Sequence, residues 1–193
     1  MATEKEIKSV ANELITQFTS GVAPVGIEQL AIVMGLAVRY ETFEDAVSGF
    51  LLAKDSSGTV FINKSHHPNR QRFTIAHEIG HYKLHFQSKE RLFYDTKFSL
   101  YHRAKPTDNT TATTTPVEEK EANIFASHIL MPDSMLKKVF LERTNLFGDE
   151  SDISLLASLF QVSEIAMSIR LESFFKLNEI PKPRSRLLKK IAQ

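Results

Sequence analysis

Residues 73–85 read Phe-Thr-Ile-Ala-His-Glu-Ile-Gly-His-Tyr-Lys-Leu-His. At 3.6 residues per turn, Phe73, His77, Gly80, His81 and Leu84 share one face. The helix predicted from about Asn69 to residue 86 must therefore bury a stripe that holds two histidines. Polar groups on a buried stripe need partners. His77 and His81 stand one turn apart and can grip one zinc ion, and Glu78 beside them is placed as a general base. Chance gives roughly 0.02 such patterns in a chain of this length and His and Glu content. Gly80 costs about 1 kcal/mol in a helix interior relative to Ala. It predicts another element packed close beside the histidines.

Composition narrows the chemistry. The chain has 193 residues, 42% hydrophobic and 24% charged, enough for one well-cored domain. It has no cysteine, so zinc ligands must be His, Asp or Glu. A net charge of +1 offers no broad electrostatic footprint for nucleic acid. The first residues, Met-Ala-Thr-Glu-Lys-Glu-Ile-Lys, do not read as a signal peptide, and no run of 18 apolar residues occurs. A soluble, cytoplasmic, monomeric protein is expected.

In chain order, Ile7, Val10, Ala11, Leu14, Ile15 and Phe18 predict an amphipathic helix over residues 4–20, and Ile27, Leu30, Ala31 and Met34 a shorter one over 26–35. Strands are predicted at 36–40, 48–53 and 59–62, the last two joined by a hairpin at 54–58. This implies a small antiparallel three-stranded sheet leading into the histidine helix. Leu92-Phe93-Tyr94 and Phe98–Tyr101 read as short strands or a flap, and the Thr-rich stretch 106–116 as a mobile loop. Thr115, Pro116 and Glu118 then form a capping box that opens a helix ending at Leu130-Met131-Pro132. Helices are predicted at 133–147, from Asp152, and through about Leu177, followed by a basic tail over 181–193. The class is α+β and mainly helical.

A zinc site with two histidines wants a third protein ligand. Val117, Glu121, Ile124, Phe125 and His128 share a face of the helix after Thr115, so Glu121 is expected to be buried and to be that ligand. Glu118 is engaged in the cap, and Glu119 falls on the opposite side of the helix from Glu121. His85 lies two turns, about 12 Å, from His77 along the axis and is expected to pack at the helix end. His128 is read either as a core histidine or as a group that polarises a substrate carbonyl.

Arg70 to His81, followed by Glu121-Ala122-Asn123-Ile124-Phe125-Ala126 and Ile129-Leu130-Met131-Pro132, resembles the ImmA/IrrE family of zinc metallopeptidases, with similarity from about Ile7 to Leu177. The resemblance implies a zincin-like metallopeptidase domain over 1–150, with His77, His81 and Glu121 on zinc and Glu78 as catalytic base. Over 151–180 it implies helix-turn-helix-like helices packed on that core. It further implies cleavage of a helix-turn-helix (XRE-type) repressor, relieving repression in a phage, mobile-element or stress-response setting. A non-proteolytic antirepressor and a DNA-binding regulator are the alternatives. Between Ser163 and Leu171 Arg170 is the only cation, so direct DNA binding is not expected. The chain departs from the family in its long, Thr-rich 87–116 segment and in His128.

Overall fold

A computed structural model describes residues 2–86, 91–93, 114–142 and 150–177. Helix α1 (Glu4–Phe18) opens with a capping box between Thr3 and Glu6 and buries Ile7, Ala11, Leu14 and Ile15. Helix α2 (Ile27–Val33) follows. Gly35, at φ 80°, then turns the chain into strand β1 (Leu36–Glu41). Strands β2 (Gly49–Lys54) and β3 (Ser57–Asn63) form the expected hairpin, with Leu51 opposite Val60.

The sheet differs from the antiparallel three-stranded expectation. It has four strands in the order β1-β3-β2-β4 and is mixed. The segment 42–48 carries the chain past the position beside β1, so β3 takes that place and pairs with β1 in parallel, Val38 opposite Val60. The Asn63 amide secures this path by donating to the carbonyls of Phe43, Glu44 and Val47. The fourth strand, β4 (Arg91–Phe93), adds antiparallel to β2, with Phe93 opposite Leu51. Leu92 and Phe93 fall in the stretch read as a short strand or a flap, and Tyr94 lies outside the described residues. Phe98–Tyr101, most of the Thr-rich loop and the basic tail lie outside the described residues.

Leu51, Ala53, Val60 and Ile62 alternate onto the buried side of the sheet. Helix α3 (Pro68–His85) packs against that sheet, with Ile75, Ala76 and Ile79 buried. Helix α4 (Pro116–Leu130) begins at the capping box read from Thr115 and Glu118. It lies between α3 and α1. Gly80 is the contact point: a Cβ there would stand 3.1 Å from Phe125 Cδ1 and 3.2 Å from the Ala122 Cα. The glycine removes the side chain that would hold the two helices apart.

Helix α5 (Asp133–Glu142) follows, then α6 (Glu150–Phe160) and α7 (Glu164–Leu177). The last two meet at 100°. Arg170 of α7 is 1% exposed, donates to the Met131 carbonyl and pairs with Asp133, pinning α7 to the end of α4. Among the described residues no single helix is long and apolar enough to cross a membrane.

Candidate metal centre

Helix α3 projects His77 and His81 into a cavity of about 190 Å³ between α4 and the start of β2. Their Nε2 atoms are 3.0 Å apart. The third group beside them is Glu119: Oε2 lies 3.3 Å from His77 Nε2 and Oε1 3.2 Å from His81 Nε2. Glu78, 4% exposed, lines the same cavity. The Phe93 ring stacks on His81 at 5.2 Å between centroids and covers it from the sheet side.

Glu121, expected as the third ligand, is directed elsewhere. It is buried as the helix-face reading required, but its Oε2 bonds to His85 Nε2 at 3.0 Å and its Oε1 accepts from the Ala2 backbone N–H at 2.6 Å. Helix α4 is buried on two sides, which a single-stripe reading does not anticipate. Glu121, Phe125 and His128 form one line. Glu119, Ala122, Asn123 and Ala126 form another at spacings of 3, 1 and 3, and this second line faces α3. Ala122 of this line meets Gly80, beside Phe125 of the first. Asn123 was also missed as a site residue: its Oδ1 lies 3.0 Å from His77 Nδ1.

His128 does not line the cavity that holds His77, Glu78 and His81. It is 3% exposed, and its Nε2 lies 3.4 Å from Glu4 Oε1. Burial, reinforced by the Arg170 charge, pushes its pKa down to about 4. His128 also lines a separate cleft of about 610 Å³ together with Glu119 and Asn123. His85 packs against His81, Nδ1 to Nδ1 at 3.1 Å.

The charges in the cluster are strongly coupled. Burial acts against ionisation of Glu119, but hydrogen bonds with His77, His81 and Thr114 outweigh it and hold the carboxyl well below the usual range. Burial likewise opposes a charge on His77. The hydrogen bond to Glu119 and the nearby Glu78 and Glu119 charges reverse this and raise the pKa. His81 is driven down to about 4, chiefly by burial.

The donor set fits a zinc ion. His77 directs Nδ1 at the Asn123 Oδ1 acceptor, so that with a metal ion in place of the Nε2 hydrogen bond to Glu119, Nδ1 would keep its proton and Nε2 would offer its lone pair. That lone pair, His81 Nε2 and a Glu119 oxygen all lie within 4.8 Å of one another. Tetrahedral ligands about 2.05 Å from a zinc ion stand about 3.3 Å from each other. The two histidine Nε2 atoms are 3.0 Å apart and each stands 3.2–3.3 Å from a different Glu119 oxygen, spacings close to that shell.

Two histidines one helical turn apart and a carboxylate from the next helix form a group that could hold a metal ion, with a second carboxylate in the same cavity. The chain belongs to the IrrE N-terminal-like domain family (Peptidase_M78), whose model matches residues 32–172. Among solved structures, it is similar to a Mycobacterium tuberculosis transcriptional regulator, with 19% identity and a TM-score of 0.53. The match covers 86% of this chain and 46% of that one, so this chain spans under half the length of that protein, and the likeness is one of fold. No curated protein matches the sequence significantly.

Proposed function

We propose that this protein is a zinc-dependent endopeptidase that cleaves a helix-turn-helix repressor and so relieves repression. The observation that carries this reading is the convergence of His77, His81, Glu119 and Glu78 on one cavity. His77, His81 and Glu119 would hold the metal. A bound zinc ion supplies a Lewis acid there and lowers the pKa of water toward about 7. Glu78, buried beside the histidines, takes the proton of the attacking water and returns it to the leaving amide nitrogen. Asn123 holds the His77 ring through Nδ1.

Room for a substrate chain lies next to the cluster. Asn123 also lines two neighbouring clefts of about 610 and 910 Å³. The larger presents Phe73, Val162, Ile165 and Ile169, with the last two 74% and 57% exposed, and suits an apolar segment of a protein substrate. A repressor as that substrate is supported by family membership and by the likeness in fold to a transcriptional regulator.

The 100° corner between α6 and α7 is the geometry of a helix-turn-helix. Against DNA reading by this chain itself, Arg170 is turned into the core and paired with Asp133, so it is not presented to phosphates.

The test is incubation of the zinc-loaded protein with candidate repressors, alongside Glu78→Gln. A discrete cut by the wild type and none by Glu78→Gln, with zinc still bound, supports the peptidase. Derepression that survives intact in Glu78→Gln sinks it in favour of sequestration.

A further inference from the structure

We infer that Arg70 is a specificity-determining residue, which takes an acidic side chain of the substrate about two to four residues from the scissile bond. This rests on the peptidase reading above and names the class of side chain that such a substrate presents. Arg70, Phe73 and His77 follow one face of α3 at spacings of 3 and 4. That face runs from one cavity to the other. Arg70 lines the cleft of about 910 Å³, His77 lines the metal cavity, and Phe73 lines both. At 1.5 Å per residue, Arg70 stands about 10 Å from His77 along the helix. An extended chain covers that distance in about three residues. The walls of the cleft are fixed to one another. The Asn69 amide donates to the Val162 carbonyl at 2.9 Å and Arg72 Nε to the Gln161 carbonyl at 3.3 Å, which ties the α6–α7 corner to the start of α3.

The Arg70 side chain is exposed but held in one direction. Its Nε and one Nη donate to Ser48 Oγ at 3.2 and 2.9 Å. Ser48 lines the metal cavity, so the guanidinium is fixed where the two spaces meet. A hydroxyl is neutral and leaves the positive charge uncompensated. Among the described residues no carboxylate pairs with Arg70. The edge shared by the two Nη atoms stays open, and parallel N–H groups on that edge match the two oxygens of a carboxylate. Glu164 also lines the cleft. It lies in the first turn of α7, where the helix dipole and the unpaired backbone N–H groups offset an anion. The charge left for a ligand is therefore positive, and it sits beside the apolar Phe73 and Ile165. An acidic residue separated from the scissile bond by apolar ones complements this path.

The experiment is digestion of a mixed-sequence peptide library by the zinc-loaded full chain, with the cuts read by mass spectrometry, for the wild type, Arg70→Lys, Arg70→Met and Arg70→Glu. The wild type and Arg70→Lys should cut where Asp or Glu stands about two to four residues from the bond, on one side of it. Arg70→Met should lose this preference, and Arg70→Glu should turn it into one for Lys and Arg. For two peptides that differ only as Asp and Asn at that place, the wild type should favour Asp about 5- to 20-fold in kcat/KM, between an exposed ion pair and a buried charged hydrogen bond. A merely structural role for Arg70 would lower all rates and leave the profile of cuts alone. The same profile in the wild type and Arg70→Glu overturns the inference. If the wild type cuts nothing, the peptidase reading fails separately, and retention of the same library on immobilised zinc-loaded protein decides the role of Arg70. Acidic peptides held by the wild type and basic ones by Arg70→Glu uphold it. The same peptides on both, or none on either, overturn it.

Discussion

The contact at Gly80 allows fold and site to be perturbed together. Replacing it with Ala should raise helix propensity, worth about 1 kcal/mol in an unobstructed helix interior. The new methyl, however, would stand 3.1 Å from Phe125 Cδ1, 3.2 Å from the Ala122 Cα and 3.3 Å from the Ala122 carbonyl oxygen. Two of these three neighbours are backbone atoms of α4, which cannot rotate away as a side chain can. Ordinary carbon contacts lie at about 3.5–4.0 Å, so α4 must retreat by a few tenths of an ångström. Overpacking of this kind costs typically about 1–3 kcal/mol, which cancels or exceeds the propensity gain. The expected net effect of Gly80→Ala is a loss of about 0–2 kcal/mol in urea unfolding of the metal-free protein. The retreat also carries Glu119, less than one turn from Ala122, away from His77 and His81. Zinc affinity should therefore fall by more than the change in stability alone accounts for. Chelator competition on the folded variant measures this. A variant that is stabilised by about 1 kcal/mol and binds zinc as the wild type does would refute the close-contact argument.

Two other predictions concern the polar groups behind the site. Removing Asp133 should destabilise more than removing Arg170. Asp133→Leu leaves a 1%-exposed guanidinium without its carboxylate, a cost of about 3–5 kcal/mol, whereas after Arg170→Met the Asp133 carboxylate keeps Lys8 at 2.5 Å. Urea unfolding gives the order, and the reverse order would contradict it. His128, pushed down to about 4 by burial and Arg170 despite Asp133 and Glu4, is neutral in the folded protein at neutral pH. Its unfolded pKa is about 6.5, so its contribution is full above that value and falls away as pH drops toward 4, by at most about 3 kcal/mol. Metal-free unfolding at pH 7 and pH 4.5 should therefore show a smaller loss for His128→Gln than for the wild type, and equal losses would refute the assignment.

Local signals were readable from the sequence. The Thr115–Glu118 capping box and the hairpin between β2 and β3 follow from interactions within a few residues, and the cost of Gly80 in a helix interior flagged a close contact whose partners, Ala122 and Phe125, lie on another helix. The parallel pairing of β1 with β3 does not. It depends on where the chain over 42–48 runs, and that path is held by the Asn63 side chain reaching carbonyls 16 to 20 residues away. Alternation identifies a strand but carries no information about its neighbour.

The third metal-site group shows a subtler limit. Burial cost establishes that a carboxylate on an apolar line needs a partner, and Glu121 does have partners. It does not establish that the partner is the metal. A helix pressed between two others has two inward lines, and the more apolar one, through Phe125, need not face the chemistry. On α4 the line toward the histidines consists of Glu119, Ala122, Asn123 and Ala126, which scores as weakly polar and looks solvated. What distinguishes it is complementarity in size. Gly80 on α3 leaves room for the Ala122 backbone and the edge of the Phe125 ring, and Glu119 and Asn123 stand within a turn of that contact. In a helix pair held together at a glycine, the small-residue line marks the side on which the backbones come closest. Short side chains such as Asn and Glu can cross that gap to a neighbouring helix.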